Sequence, residues 1–432
     1  MKKFYLLLIA LLTTVACQKH INFETHSNSV KQDYQNHRIP IKQAIRNLHE
    51  TAGHLYGNTK VTSQSETDII VIRYQDIFQN QTKGGATLDI DSIFYVINFE
   101  NNSGFAILAA DDRFPEVLAI TEQGSYYPFG LDGNESNNIS QTSDNIYIGP
   151  PVTIDHILEK FVDYTISDIY DRPNDDNSDV LDPIGGGSHH YIYGAMQIPE
   201  MLQTKWNQTE PFNNLMPLIN NNTEIAPTGC GVTALAQVLT YKKNISLDEI
   251  FNISEYNWTD LEQEYITTNS HIAEPISLIH YHLYIGTESE VDFADSGETY
   301  TAPKNIAAYL REIGYSTAAK YNGYNLPIIL NQLQYNKPII ISAVTSEQKT
   351  SGYITFSGHT WVIDGVDRYI SSYKKGVYTT LLHCNWGWGG TYNGYYVSDM
   401  FDTDNGLIYE EPSRQSEEDN NNYRMFYRIV TY

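Results

Sequence analysis

The sequence predicts an α+β protein in which a mixed N-terminal region precedes a C-terminal domain of two lobes, one helical and one an antiparallel sheet, with a cleft between them. Three observations carry this. Helical periodicity recurs beyond residue 230, over 231–243 and over 303–313, where Ile306, Tyr309, Leu310 and Ile313 share a face. Runs rich in β-branched and aromatic residues then follow one another towards the C-terminus: "KPIIISAV", "HTWVIDGVDRY", "VYTTLLHCNWGW", "NGYYVSDMF" and "YRMFYRIVTY". Between the two regions lies "YDRPNDDNSDVLDPIGGGSHH", Tyr170 to His190, which is acidic, rich in proline and glycine and without period. It reads as a linker open to proteolysis.

Taken in order, the chain begins "MKKFYLLLIALLTTVACQKH": two lysines, an apolar run, then small residues ending at Cys17. The run is too short for a permanent span and reads as an export signal. Ala16-Cys17 after Thr14-Val15 resembles a bacterial lipoprotein cleavage site, which implies lipidation of Cys17. Ordinary secretion with Cys17 discarded is the alternative. No second long apolar run follows, so the only expected membrane contact is a lipid on Cys17. Ile41, Ile45 and Leu48 fall on one helical face; "TDIIVIRYQDIF" and "SIFYVINFEN" read as strands; Ser103–Thr121 adds a strand, an Asp-Asp turn and another apolar run. Pro150-Pro151 introduce an amphipathic helix bearing Ile154, Ile157, Leu158, Phe161 and Val162. The expected divisions are a signal over 1–17, an N-terminal region over 18–185 (recognisable over about 65–170, linker 171–190), and the C-terminal domain over 186–432.

The composition is globular, with 41% hydrophobic residues and a net charge of -25. A nucleic-acid partner is excluded, because nothing would neutralise phosphates. Beyond that, an acidic surface says no more than solubility.

The chain is sparing with cysteine, using three in 432 residues, yet sets Cys230 between two glycines in "PTGCGVTALAQVLTYKK". Val232, Leu235, Ala236 and Leu239 mark a buried helical stripe that starts just after Gly229, so Cys230 sits at a helix N-terminus. There the unpaired N–H groups and the macrodipole favour a thiolate. A lone cysteine at such a place is also ordinary core filler. His359 in "SGHTWVIDGVD" follows a glycine and opens an apolar strand, as an acid–base partner at a cleft rim would. Asn385 in "LHCNWGWGGTYNGYY", on the next strand, offers an amide to accept the imidazole N–H, with Trp386 and Trp388 to cover that bond.

The order Cys, His, Asn is that of papain-like cysteine proteases. "TGCGVTALAQVLTYKK", "GHTWVIDGVDRY" and "HCNWGWGGTYNGYYV" resemble the streptopain family of bacterial cysteine peptidases, and "FYVINFENNSGFAILAADDRFPEVLAIT" resembles its inhibitory propeptide. The resemblance covers roughly residues 70–400. It implies a papain-like two-lobed catalytic domain and a zymogen whose N-terminal region is an intramolecular inhibitor. Protein or peptide substrates are expected, with no cofactor or metal. By position it implies Cys230 as nucleophile, His359 as general acid/base and Asn385 as the orienting residue. Gln208, in "LQTKWNQTEPFN", becomes an oxyanion-hole donor beside the Cys230 N–H, Gly358 a contact for substrate backbone, Trp386 a shield over the Asn385–His359 pair, and Ser296, in "ADSGETY", a specificity-loop contact. The match at 294–300 is loose.

Six residues invite other readings. Cys384 points opposite to Asn385 by strand alternation and reads as core, without a bridge to Cys230. Asp364 precedes Gly365 and reads as a turn residue. His280, His282, His189 and His190 lack cysteine or carboxylate partners at ligand spacing and read as surface histidines rather than metal ligands. The rival functions are a transglutaminase-like acyl transferase or amidase, and an inactive surface-binding or inhibitor lipoprotein.

Overall fold

The computed structural model describes residues 37–56, 66–78, 92–130, 150–171, 194–221, 223–243, 257–263, 270–293, 297–350, 353–370, 377–402 and 426–432. The N-terminal region opens with α1 (Ile41–Tyr56), whose Ala44, Leu48 and Ala52 recur every four residues and are buried. Strand β1 (Glu66–Ile72) ends earlier than its apolar run suggests. The chain turns into one helical turn, α2 (Tyr74–Ile77), where the Asp76 carboxylate accepts the Arg73 N–H at 2.7 Å. Strands β2 (Phe94–Phe99), β3 (Phe105–Ala109) and β4 (Val117–Thr121) are buried at every position, as strands covered on both faces are. Helix α3 (Pro150–Asp171) starts at the two prolines and buries Ile154, Ile157, Leu158, Phe161 and Val162.

After β5 (Met196–Ile198) come the helical-lobe elements: the hairpin β6 (Leu218–Ile219) and β7 (Glu224–Ile225), α4 (Cys230–Lys242), α5 (Trp258–Gln263), α6 (Ser270–Gly286), the pair β8 (Glu290–Val291) and β9 (Thr299–Tyr300), and α7 (Pro303–Glu312). The sheet lobe holds β10 (Ala319–Asn322), α8 (Leu326–Gln334), β11 (Ile339–Thr350), β12 (Tyr353–Ile370), β13 (Tyr378–Asn385), β14 (Gly394–Val397) and β15 (Phe426–Thr431).

The two regions share one antiparallel sheet, ordered β1-β2-β3-β4-β14-β13-β12-β11-β15-β10, with β5 against β12. The seam is β4 with β14: Thr121 lies opposite Gly394, Ile120 opposite Tyr395 and Ala119 opposite Tyr396. Gly394 permits the approach, because a Cβ there would fall 2.4 Å from the Ile120 oxygen. Strand β12 divides two cores. Trp361 and Ile363 join Trp386, Tyr395 and the apolar residues of the N-terminal region on one face. Val362 joins α4, α6 and α7 on the other. Burying a side chain such as Leu235 or Leu239 on α4 stabilises the lobe by about 2 kcal/mol.

Two expectations need correction. Asp364 is no turn residue; it is fully buried within β12, beside a register shift at Ile363/Gly365. Its carboxylate meets His383 Nδ1 at 2.6 Å and accepts the Leu202 N–H at 2.8 Å, which ties the segment after β5 to the sheet. Burial works against a charged His383, yet the adjacent Asp364, with Glu122 and Glu200 beyond it, raises its pKa. His280 is not a surface histidine: it is buried against Trp206 and Phe212, bonds the Ile276 carbonyl at 2.9 Å, and burial lowers it to about 4. His282 is half-buried and reaches the Tyr309 hydroxyl at 2.9 Å, while His189 and His190 lie outside the described residues. Among the described residues no group of three or more His, Cys, Asp or Glu is placed to hold a metal, and no helix is long and apolar enough to cross a membrane.

Candidate active site

Cys230 is the first residue of α4. Gly229 before it has φ +88°, and a Cβ there would lie 2.6 Å from the Thr299 oxygen, so both conformation and space require glycine. Gly229, as the N-cap residue, has no side chain to cap the helix start. Thr299 closes the neighbouring strand onto this turn, its hydroxyl donating to the Pro227 carbonyl at 2.6 Å. The half-buried thiol departs from the sequence expectation of a favoured thiolate. Loss of water raises its pKa above the ordinary value and Glu298 adds to this, while the main chain and hydroxyl of Thr360 and the Gly231 N–H pull it down. The helix start is present, but desolvation outweighs it.

His359 is buried on β12, stacked beside Trp361 and Trp386 with ring centroids 6.2 and 5.8 Å away. Its Nε2 meets the Trp386 carbonyl at 2.8 Å. A carbonyl only accepts, so Nε2 carries the hydrogen and Nδ1 keeps a lone pair. Burial lowers this imidazole to about 4, with the Trp386 hydrogen bond opposing. Among the described residues no hydrogen bond joins His359 to Cys230. Strand alternation gives the reason: His359 lies on the Trp361 face of β12, whereas Thr360, on the α4 face, is the neighbour of the thiol. The Thr360 hydroxyl is held by Ser342 Oγ at 2.8 Å.

Asn385 is not brought to His359. Its Nδ2 donates to the Thr204 carbonyl at 2.8 Å, and its Oδ1 accepts from Gln237 Nε2 and from the Gly387 N–H, each at 3.2 Å. The alternation of β13 turns this carboxamide towards α4, and the contact foreseen for it falls to the main chain of the next residue. Gln208 is buried, and its carbonyl accepts the Thr228 N–H at 2.9 Å, which sets it against the turn before Cys230. Gly358 lies on β12 opposite Val344, and Trp386 is fully buried beneath His359. Cys384 is buried on the face opposite α4, and it and Cys230 are both free thiols. Ser296 and Cys17 lie outside the described residues.

Sequence reasoning missed Gln237, a fully buried polar residue on α4 that also accepts the Trp206 N–H at 3.3 Å. An amide inside an apolar helical stripe was the available signal. The Trp386 carbonyl had none, since main-chain atoms carry no residue identity.

The N-terminal region grips the sheet lobe next to this site. Beyond the β4–β14 seam, the Glu122 N–H donates to the Asn393 carbonyl at 3.0 Å, the Tyr392 N–H to the Gln123 carbonyl at 2.9 Å, and the Tyr392 hydroxyl to the Ser125 carbonyl at 3.0 Å. On α1, Thr51 Oγ1 meets the Tyr369 hydroxyl at 3.1 Å and the His54 ring stacks on Tyr369 at 4.6 Å.

A two-lobed cysteine-peptidase fold with an N-terminal region built into its sheet is the class these features define, and comparison with known proteins agrees. Residues 206–396 match the Peptidase C10 family, and residues 55–136 match the Spi protease inhibitor family. Streptopain of Streptococcus pyogenes is 23% identical over 365 residues, covering 75% of this chain and 78% of that protein. The thiol protease/hemagglutinin PrtT of Porphyromonas gingivalis is 23% identical over 338 residues, covering 72% of this chain and 34% of that protein. A structure of a Prevotella intermedia prointerpain A fragment has the same fold, with a TM-score of 0.50 and 21% identity, covering 85% of this chain and 97% of that one. Over residues 206–396 the chain carries a cysteine-protease domain similar to the Peptidase C10 family, preceded over 55–136 by a domain similar to the Spi protease inhibitor.

Proposed function

We propose that the chain is the latent precursor of an exported endopeptidase that cleaves peptide bonds through an acyl-enzyme on Cys230. The observation that carries the reading is the His359 Nε2–H···O contact with Trp386: it leaves Nδ1 as the only base position on the ring. Once the N-terminal region is removed, the wall that carries the Trp386 carbonyl shifts and swings the His359 ring from the Trp361 face towards the sulfur; Nδ1 then takes the thiol proton and the pair becomes thiolate and imidazolium. The thiolate attacks the scissile carbonyl, and the Cys230 N–H and the Gln208 carboxamide hold the oxyanion. Nδ1–H then protonates the leaving amine. Water, deprotonated by the same nitrogen, releases the acyl group and restores the thiol. In this mechanism the Trp386 main chain orients the ring, and Asn385 braces the wall between Thr204 and Gln237. Gly358 borders the groove beside the ring, and Ser296 contributes to subsite preference from its loop.

Latency follows from the same groups. A thiol above its ordinary pKa and an imidazole near 4 are both neutral at pH 7, so no ion pair forms in the full chain. Export rests on the residues preceding Cys17, with lipid attached to that cysteine. Limited proteolysis followed by an epoxide-type thiol-protease inhibitor tests the enzyme: covalent label on Cys230 and casein digestion are expected from wild type, and neither from Cys230→Ala. Equal digestion by Cys230→Ala would overturn the reading. Incorporation of labelled palmitate, lost in Cys17→Ala, tests the anchor.

A further inference from the structure

We propose that Asn393 is a positioning residue for His359, and that the N-terminal region closes on this same residue. The proposal rests on the peptidase reading above. Three hydrogen bonds in series carry it. His359 Nε2 donates to the Trp386 carbonyl at 2.8 Å; the Trp386 N–H donates to Asn393 Oδ1 at 2.9 Å; and the Asn393 carbonyl accepts the Glu122 N–H at 3.0 Å. The first two are buried, and Asn393 itself is buried.

The series matters because the carbonyl that sets the imidazole sits at the start of a soft loop. Gly387, Gly389 and Gly390 all have positive φ, at 71°, 64° and 86°, where glycine is free to move and other residues are not. A carbonyl on such a loop fixes a ring only if the loop is itself pinned. Two carboxamides do this. Asn385 accepts the Gly387 N–H from the strand side, and Asn393 holds the Trp386 N–H from the far end. The Asn393 N–H also donates to the Gly390 carbonyl at 3.1 Å, which closes the loop on itself. Removing the propeptide breaks the Glu122 contact and the Tyr392–Gln123 contact beside it, while the link from Asn393 to Trp386 lies wholly within the catalytic domain and persists. The residue therefore serves the imidazole in the active enzyme and reports propeptide docking in the precursor.

The test compares wild type, Asn393→Ala and Asn393→Asp after propeptide removal, using a fluorogenic peptide across pH. Asn393→Ala is expected to lose about 10–100-fold in kcat with KM changed far less, because the ring drifts from its working position. Its alkaline limb, which reports loss of the imidazolium proton, moves to lower pH as the carbonyl ceases to steady that charge. Asn393→Asp keeps an acceptor for the Trp386 N–H and adds a negative charge, so it loses less kcat and its alkaline limb moves to higher pH. A role confined to closing the turn would lower Tm in both variants and move neither limb. Should Asn393→Ala fail to fold, the limb of Asn393→Asp decides alone: no upward movement overturns the proposal. If wild type itself neither hydrolyses the peptide nor labels at Cys230, the peptidase reading fails first, and that outcome is distinct from an active wild type whose variants match its pH profile.

Discussion

At His359 the Nε2–H is committed to the Trp386 carbonyl, so a proton arriving from sulfur has only Nδ1 to accept it. The same bond changes what is expected of Asn385. In Asn385→Ala, Gln237 and the Thr204 carbonyl lose buried partners, which costs about 1–3 kcal/mol of stability, measurable as a lower urea midpoint. The alkaline limb of the processed enzyme moves down less than in Asn393→Ala, because Asn385 holds the loop only through the Gly387 N–H; a larger movement than in Asn393→Ala would return the orienting role to the side chain. Gln208→Ala is expected to lower kcat by the roughly 3–4 kcal/mol that one oxyanion donor supplies, with KM nearly unchanged. These residues were legible in unequal measure. Cys230 and His359 stood out as candidates because a nucleophile and a base would be side chains of particular types, here each beside glycine. The carbonyl could not be read, since a peptide oxygen belongs to every residue. The direction of the thiol's pKa depends on how much water a folded neighbour excludes, and the pattern around Cys230 records only the helix start.

Among the elements, α3 and β4 hold the N-terminal region in place. Asp155 on α3 accepts the Tyr126 hydroxyl at 2.5 Å and the Phe129 N–H at 3.2 Å, and burial pushes it up to about 7. Its folded pKa lies above its unfolded value of 3.8, so the folded precursor binds more protons between those values. Its stability contribution is complete at acid pH and falls as pH rises towards 7. A melting series on Cys230→Ala precursor should therefore show Tm dropping from pH 4 to pH 7, with a shallower drop in Asp155→Asn; an equal slope would remove Asp155 from the account. For β4, Ile120→Pro takes a donor from the strand that pairs with β14. The expected outcome is a precursor with measurable peptidase activity before any cleavage, read on intact protein. The apolar runs of β2, β3 and β4 were plain in the sequence, and so was the helix at the two prolines. That β4 would continue the sheet of the other domain was not, because pairing at an edge depends on backbone groups and on the missing Cβ of Gly394.

Across the whole molecule, inhibition is a matter of continuity. The propeptide extends the catalytic sheet, shares one core with Trp361 and Trp386, and contacts the loop that carries the Trp386 carbonyl. A body joined in this way controls the site by holding its wall, and its departure exposes the β14 edge and that wall together. The order of inhibitory region before catalytic domain was legible from the motifs that resemble the streptopain family and its propeptide, whereas the signal over 1–17 and the linker over 171–190 lie largely outside the described residues. The joint between the two folded parts was visible only in three dimensions. The central claim is that sulfur and imidazole form no ion pair until the propeptide leaves. It is tested most directly by the rate of Cys230 alkylation with iodoacetamide against pH, on freshly mixed precursor and on processed enzyme. The precursor should react appreciably only above about pH 9, as a neutral thiol does, and the processed enzyme should hold a plateau down to about pH 5; a precursor with the same acid-shifted plateau would contradict the account.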